Sequence, residues 1–319
     1  MGSSAASATC LQAILKTPGL AVVGVVTQPD RPVGRGKVVS PCPCKAFAVS
    51  AGISEIITPE NVNSPEAMER IRKWRPDVVA VVAFGQFLRK ELLDLPPLGC
   101  INCHFSLLPK YRGASPVAAA LAAGERMTGV SVMRMGEGMD DGPVLMQRYE
   151  PIYSDETCGG LMEELSVSGG VTLAKVLAML ADGRKPVEVP QNNAEATFAR
   201  KLRKSDGLID WSAPVLVTDR RIRAYTPWPG CHTFLPARLR RKGSEGRLVV
   251  LKASVCGRLT PGQLALPPGA VVCIDACCPV VRCGDTALRL LVVKPEGGAA
   301  MDAASFMRGR PLAVGDMLG

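Results

Sequence analysis

Two short, uninterrupted apolar runs, AVVGVVT at 21–27 and VVAVVAF at 78–84, most constrain what this chain can fold into. They alternate with longer mixed segments, the pattern of buried strands joined by crossover helices in a parallel sheet. Both are far shorter than the ~20 residues that cross a bilayer, so no membrane span is expected. Strands are expected over 20–27, 77–84 and 99–104, and a surface helix from Pro65 to Trp74. The fold class that follows is α/β, with a doubly wound, mostly parallel sheet.

After Gly124 the pattern changes. GVSVMRM (129–135) and PVLMQRYEPI (143–152) flank a Gly- and Asp-rich loop, which predicts a β-hairpin at the edge of the sheet. Residues 156–182 read as one long helix, although Gly159, Gly160, Gly169 and Gly170 work against it. From about 205 onward, LVVLKASV, GAVVCI and ALRLLVV are separated by Pro-, Gly- and Cys-rich turns, which suits a small, OB-like β-barrel. The expected division is a first domain over 1–188, a linker over 189–206 and a barrel over 207–319.

Charge separates the same two parts. Of the 38 Lys+Arg and 29 Asp+Glu, residues 200–319 hold 19 basic and 9 acidic side chains, so the excess positive charge lies in the last part. A basic C-terminal unit suits a polyanionic partner, nucleic acid before membrane; the bland alternative is a solvated, high-pI surface. The 12 cysteines are scattered through a chain of 319 residues that lacks an apolar leader, so reduced thiols are the expectation. Cys273, Cys277, Cys278 and Cys283 match no common zinc spacing and read as incidental or buried thiols.

The densest chemistry lies in GCINCHFSLLPKYRGASPV (99–117). A strand there runs into a polar segment, and ligands of parallel α/β sheets bind beyond the C-terminal ends of strands. A two-residue period puts Asn102, His104 and Ser106 on one face, pointing an amide, an imidazole and a hydroxyl into one cleft. A single His beside a strand is more often a hydrogen-bonded core residue. Here only His104 and His232 offer an imidazole. Cys100, Cys103 and His104 also spell the c-type haem pattern C-x-x-C-H, which needs both thiols accessible and is disfavoured by the inward strand position of Cys103.

A second constellation, GEGMDDGPVL (136–145), carries Asp140 and Asp141 on a turn. Asp-Gly is an ordinary turn former, but a carboxylate on an edge hairpin can approach the strand end bearing His104, and Asp140 is the stronger candidate. The long basic loop QPDRPVGRGKVVSPCPCK (28–45) carries Arg31, Arg35 and Lys37; loops of that length in compact domains are commonly functional.

Taken together these stretches resemble the folate-dependent formyltransferases, and within them the tRNA-directed branch. NCHFSLLPKYRGASPV is similar to the family's N-x-H…S-L-L-P-x-x-R-G signature and MDDGPVL to its D-x-G loop. TQPDRPVGRG, KLRKSDGLIDW and IRAYTPWPG resemble segments particular to the tRNA branch. The resemblance implies transfer of a formyl group from 10-formyltetrahydrofolate to the amino group of initiator methionyl-tRNA, in translation initiation, by a monomer that uses no metal. It gives Asn102, His104 and Asp140 the catalytic places. A pterin pocket would be formed by Phe84, Gly85, Gln86, Phe87 and Leu88, with Ser106, Gly138 and Met139. Arg31, Arg35, Lys37, Arg200, Lys201, Arg203 and Lys204 would meet tRNA.

Two departures stand out. The family's first, central strand would precede the helix containing Leu11 to Leu15, where only ten polar residues stand, so that strand is expected to be missing. Phe105 also occupies a position where the family more often has Gly or Pro. The competing readings are a formyltransferase of a sugar nucleotide or purine precursor, and a noncatalytic tRNA-binding protein. The expected compartment is mitochondrion or plastid for a eukaryotic source and cytoplasm for a bacterial one.

Overall fold

The computed structural model describes residues 1–33, 36 and 38–319. The chain folds into two compact units: residues 1–116, 126–152 and 161–200 form the first, and 117–125, 153–160 and 201–319 the second.

The first unit opens with α1 (Ala5–Leu15), started by a reciprocal cap in which Ser4 and Ser7 bond each other's backbone amides. There follow β1 (Val25–Val26), a hairpin of β2 (Arg31–Val33) and β3 (Val38–Ser40), α2 (Pro43–Ser50) and β4 (Ile56–Ile57). The helix α3 (Pro65–Lys73) has the expected position. Its sequence contains its own start and stop: Ser64 caps Ala67 N–H, Pro65 and Glu66 open the first turn, and Arg70, Arg72 and Lys73 close the last. Then come β5 (Val79–Val81), α4 (Lys90–Leu93), β6 (Cys100–His104), β7 (Arg112–Gly113), α5 (Pro116–Ala123, which from Val117 on belongs to the second unit), β8 (Met127–Arg134), β9 (Val144–Pro151), α6 (Cys158–Ala181) and β10 (Phe198–Ala199).

The sheet is mixed. β5 pairs with β6 in parallel, whereas β6–β8 and β8–β9 are antiparallel, so the expected hairpin forms the edge. β6 is buried along its whole length. Its inward side chains meet α6 closely: a Cβ on Gly169 would lie 3.0 Å from Cys103 Sγ and 3.3 Å from Phe105 Cε1. Of the four glycines that argue against one long helix, Gly169 lets it approach the sheet and Gly170 lets it approach α1. α6 is long and apolar enough to cross a membrane, but 61% of its most apolar window is buried inside the fold, as in a core helix.

Between β1 and β5 the ladder is interrupted. β1 and β4 form a separate parallel pair, and among the described residues Met1 and Gly2 are what bridge β1 and β5 by backbone hydrogen bonds. Gly2 N–H donates to Val26 O at 3.0 Å, Val82 N–H to Met1 O at 2.9 Å, and the α-amine to Ala80 O at 2.6 Å. Beside them lies an apolar cavity of about 660 Å³ lined by residues that include Leu11, Val23, Trp74, Val79 and Leu180.

The second unit contains α7 (Val215–Ala224), β11 (Cys231–Phe234), β12 (Arg247–Val255), α8 (Pro261–Leu264), β13 (Val271–Asp275), β14 (Cys278–Arg282), β15 (Ala287–Pro295), β16 (Met301–Asp302) and α9 (Ala303–Gly309). Its antiparallel sheet, ordered β11-β12-β15-β14-β13 with β16 on β15, wraps one core built on Trp211, Ile222, Leu248, Leu290 and Phe306. All 12 cysteines are free, and Cys277 is the exposed one.

Candidate active site

β6 delivers Asn102 and His104 from its C-terminal half, the end at which parallel sheets bind ligands. Both side chains are buried, Asn102 at 8% and His104 at 5% exposure. The loop between β8 and β9 brings Asp140 to them, with its backbone in the left-handed region at φ 50°. Asn102 Nδ2 donates to Asp140 Oδ1 at 3.4 Å, and His104 Nδ1 lies 3.5 Å from Asp140 Oδ2. The same Oδ2 accepts Gly113 N–H at 2.8 Å. The three side chains singled out from two separate segments therefore meet at one point.

One hydrogen bond fixes where the imidazole carries a hydrogen. Nε2 lies 2.9 Å from Tyr111 O, a carbonyl that can only accept, so Nε2 carries a hydrogen. Nδ1 then faces the Asp140 carboxylate, with 3.5 Å between Nδ1 and Oδ2.

Ser106 does not join this cleft. Its hydroxyl is fully buried and donates to Lys110 O at 2.6 Å, closing the turn that follows β6, while Ser131 Oγ donates to Ser106 O. The two-residue alternation ends with the strand at His104, which is why the extrapolation to Ser106 fails. The segment 84–88 is likewise divided. Phe84 and Leu88 are core side chains, and the Gln86 amide is occupied by Val62 N–H at 2.7 Å and Pro59 O at 2.9 Å. Only Gly85, at φ 81°, and Phe87, 65% exposed, face outward. Gly138 and Met139 are exposed on the Asp140 loop.

Of the basic residues, Arg31 is exposed and pairs with Glu60 at 3.3 Å; Arg35 and Lys37 lie outside the described residues. Arg200, Lys201, Arg203 and Lys204 are all exposed. Among the described residues no group of three or more His, Cys, Asp or Glu is placed to hold a metal ion.

Sequence reasoning missed the residues that hold the loop. Arg112, 5% exposed, donates through Nε and Nη2 to Gln191 Oε1 at 3.0 and 2.8 Å, and Gln191 Nε2 donates to Asp140 O at 2.8 Å and Gly142 O at 2.7 Å. Residues 189–200, expected within a linker, are fixed on the first unit: Val189 bridges Val144, and β10 pairs with β7. A lone Gln beside polar neighbours carries no local signal, since its partners lie about 50 and 80 residues away in sequence.

Residues 2–177 match the model of the formyl transferase family, and residues 201–311 that of the formyl transferase C-terminal domain. The chain belongs to the formyl transferase family. It is 43% identical over 300 residues to a methionyl-tRNA formyltransferase of Acidithiobacillus ferrooxidans, covering 94% of this chain and 91% of that one. It is 39% identical over 320 residues to a methionyl-tRNA formyltransferase of Pseudomonas putida, covering 100% and 98%. Among solved structures, the sugar 3N-formyl transferase WlaRD, in the presence of dTdp and 5-N-formyl-THF, superposes with a TM-score of 0.63 at 15% identity, over 93% of this chain and 97% of that one. HypX from Aquifex aeolicus in complex with tetrahydrofolic acid gives a TM-score of 0.58 at 15% identity over 93% of this chain and 50% of that one. At those identities the two structures speak for the fold alone.

Proposed function

We propose that this chain transfers the formyl group of 10-formyltetrahydrofolate to the amino group of initiator methionyl-tRNA. The meeting of Asn102, His104 and Asp140 carries the reading, supported by relatives near 40% identity along the whole chain that are named for this activity.

In the reaction the neutral amine attacks the formyl carbon, a tetrahedral carbon forms, and the bond to the folate nitrogen breaks. The amine loses one proton and the folate nitrogen gains one. Asn102 has a second Nδ2 hydrogen beyond the one on Asp140, and it stabilises the oxyanion. His104 in its protonated form keeps Nε2–H on Tyr111 O and gives Nδ1–H to the same oxygen. Asp140, as a free carboxylate, takes up the amine's proton and passes it to the leaving nitrogen, so it ends the transfer as it began.

Folate would lie along the outward side of Gly85 and Phe87 and the backbone of Gly138 and Met139. Arg31, Arg200, Lys201, Arg203 and Lys204 would contact tRNA phosphates, which position a nucleic acid without reading its sequence; Arg35 and Lys37 are assigned the same partner. The basic balance of residues 200–319 supports this.

Formyl transfer to charged initiator tRNA tests the reading. Wild type transfers, and Asp140→Asn and His104→Ala each lose about 100-fold or more, the weight of a general acid–base group. Equal rates in wild type and both variants would defeat the mechanism.

A further inference from the structure

Asp140 adopts a left-handed backbone conformation, a region in which side chains other than Gly are uncommon and which the surrounding structure must hold. Its carboxylate is aimed by Gly113 N–H at 2.8 Å, but its backbone is gripped from elsewhere. The Gln191 amide group spans the turn, giving one hydrogen to Asp140 O at 2.8 Å and the other to Gly142 O at 2.7 Å. Arg112 settles which way that amide faces. Its two donations to Oε1, at 3.0 and 2.8 Å, require oxygen on the arginine side and NH2 on the loop side. Arg112 is itself pinned by Asn193 Oδ1 at 2.9 Å, and its backbone N–H by Thr197 O at 2.8 Å. Arg112 and Gly113, adjacent in β7, thus act on the same loop by two routes.

We infer that Gln191 is a positioning residue of the transfer site: it holds Asp140 in the backbone conformation from which the carboxylate meets Asn102 and His104, with Arg112 setting the direction of the Gln191 amide. The inference rests on the reading of Asp140 as the working carboxylate. The hydrogen bonds of Gln191 go to Arg112, to the loop and to Met133 Sδ, none of them to Asn102 or His104, so it acts through the loop. A displacement of about 1 Å at a reacting group is enough to cost on the order of 100-fold in rate.

The test compares wild type with Gln191→Met and Gln191→Glu, measuring kcat, KM for 10-formyltetrahydrofolate and deuterium uptake of residues 136–142. Met keeps the length and removes every hydrogen bond. Glu keeps the acceptor for Arg112, and so the packing, but turns a carboxylate oxygen toward two carbonyls. Both variants are expected to lose at least about 10-fold in kcat with KM changed by less than about threefold, and to exchange faster in 136–142. If Gln191→Met fails to fold, Gln191→Glu decides alone. Wild-type kcat and uptake in Gln191→Glu, or a loss confined to KM, overturns the inference. A wild-type chain that transfers no formyl group defeats the functional reading instead, and the uptake comparison then still decides whether Gln191 holds the loop.

Discussion

The two halves of the N-terminal sheet are built to different standards. From β5 through β6 and β8 to β9 the ladder is continuous, and its buried polar groups are paired: Ser131 Oγ accepts Leu108 N–H at 3.0 Å and Gln147 Nε2–H at 2.9 Å while donating to Ser106 O at 2.6 Å. On the other side of β5, the pair β1–β4 is reached through Met1 and Gly2, beside a cavity of about 660 Å³. Asn102 and His104 stand on β6, whose two neighbours are both present, so the gap lies one strand away from the chemistry. None of Asn102, His104 and Asp140 lines the cavity. An interruption in the ladder therefore need not reach a site carried on the continuous flank, because ladder hydrogen bonds act between nearest neighbours.

Truncating one buried side chain on each flank gives the largest contrast. Ile101→Ala, at a fully buried position on β6, should cost about 2–5 kcal/mol, since its surroundings are packed on every side. Leu180→Ala, which lines the cavity, should cost no more than about 2 kcal/mol, because part of its surface already lacks partners to lose. Denaturant unfolding of both variants measures the difference, and equal costs would break the contrast between the flanks. Ser131→Ala sharpens it from the polar side. Losing the hydroxyl strands Leu108 N–H and Ser106 O in the interior, for roughly 1–3 kcal/mol. A neutral result would mean that the network is not what stiffens the intact flank.

The intact flank is also the legible one. Apolar runs, the Gly-Asp loop and the caps of α3 are local signals, and each marks an element near its place. Asn102 and His104 are readable because a strand imposes a two-residue period; Ser106 is misread because nothing in FSLLPK marks where that period stops. Gln191 and Arg112 are illegible as a pair, since their bonds span about 80 residues and neither has a spacing that betrays the other. The antiparallel pairing of β6 with β8 is equally hidden: a fully buried strand reads the same whichever way its neighbour runs.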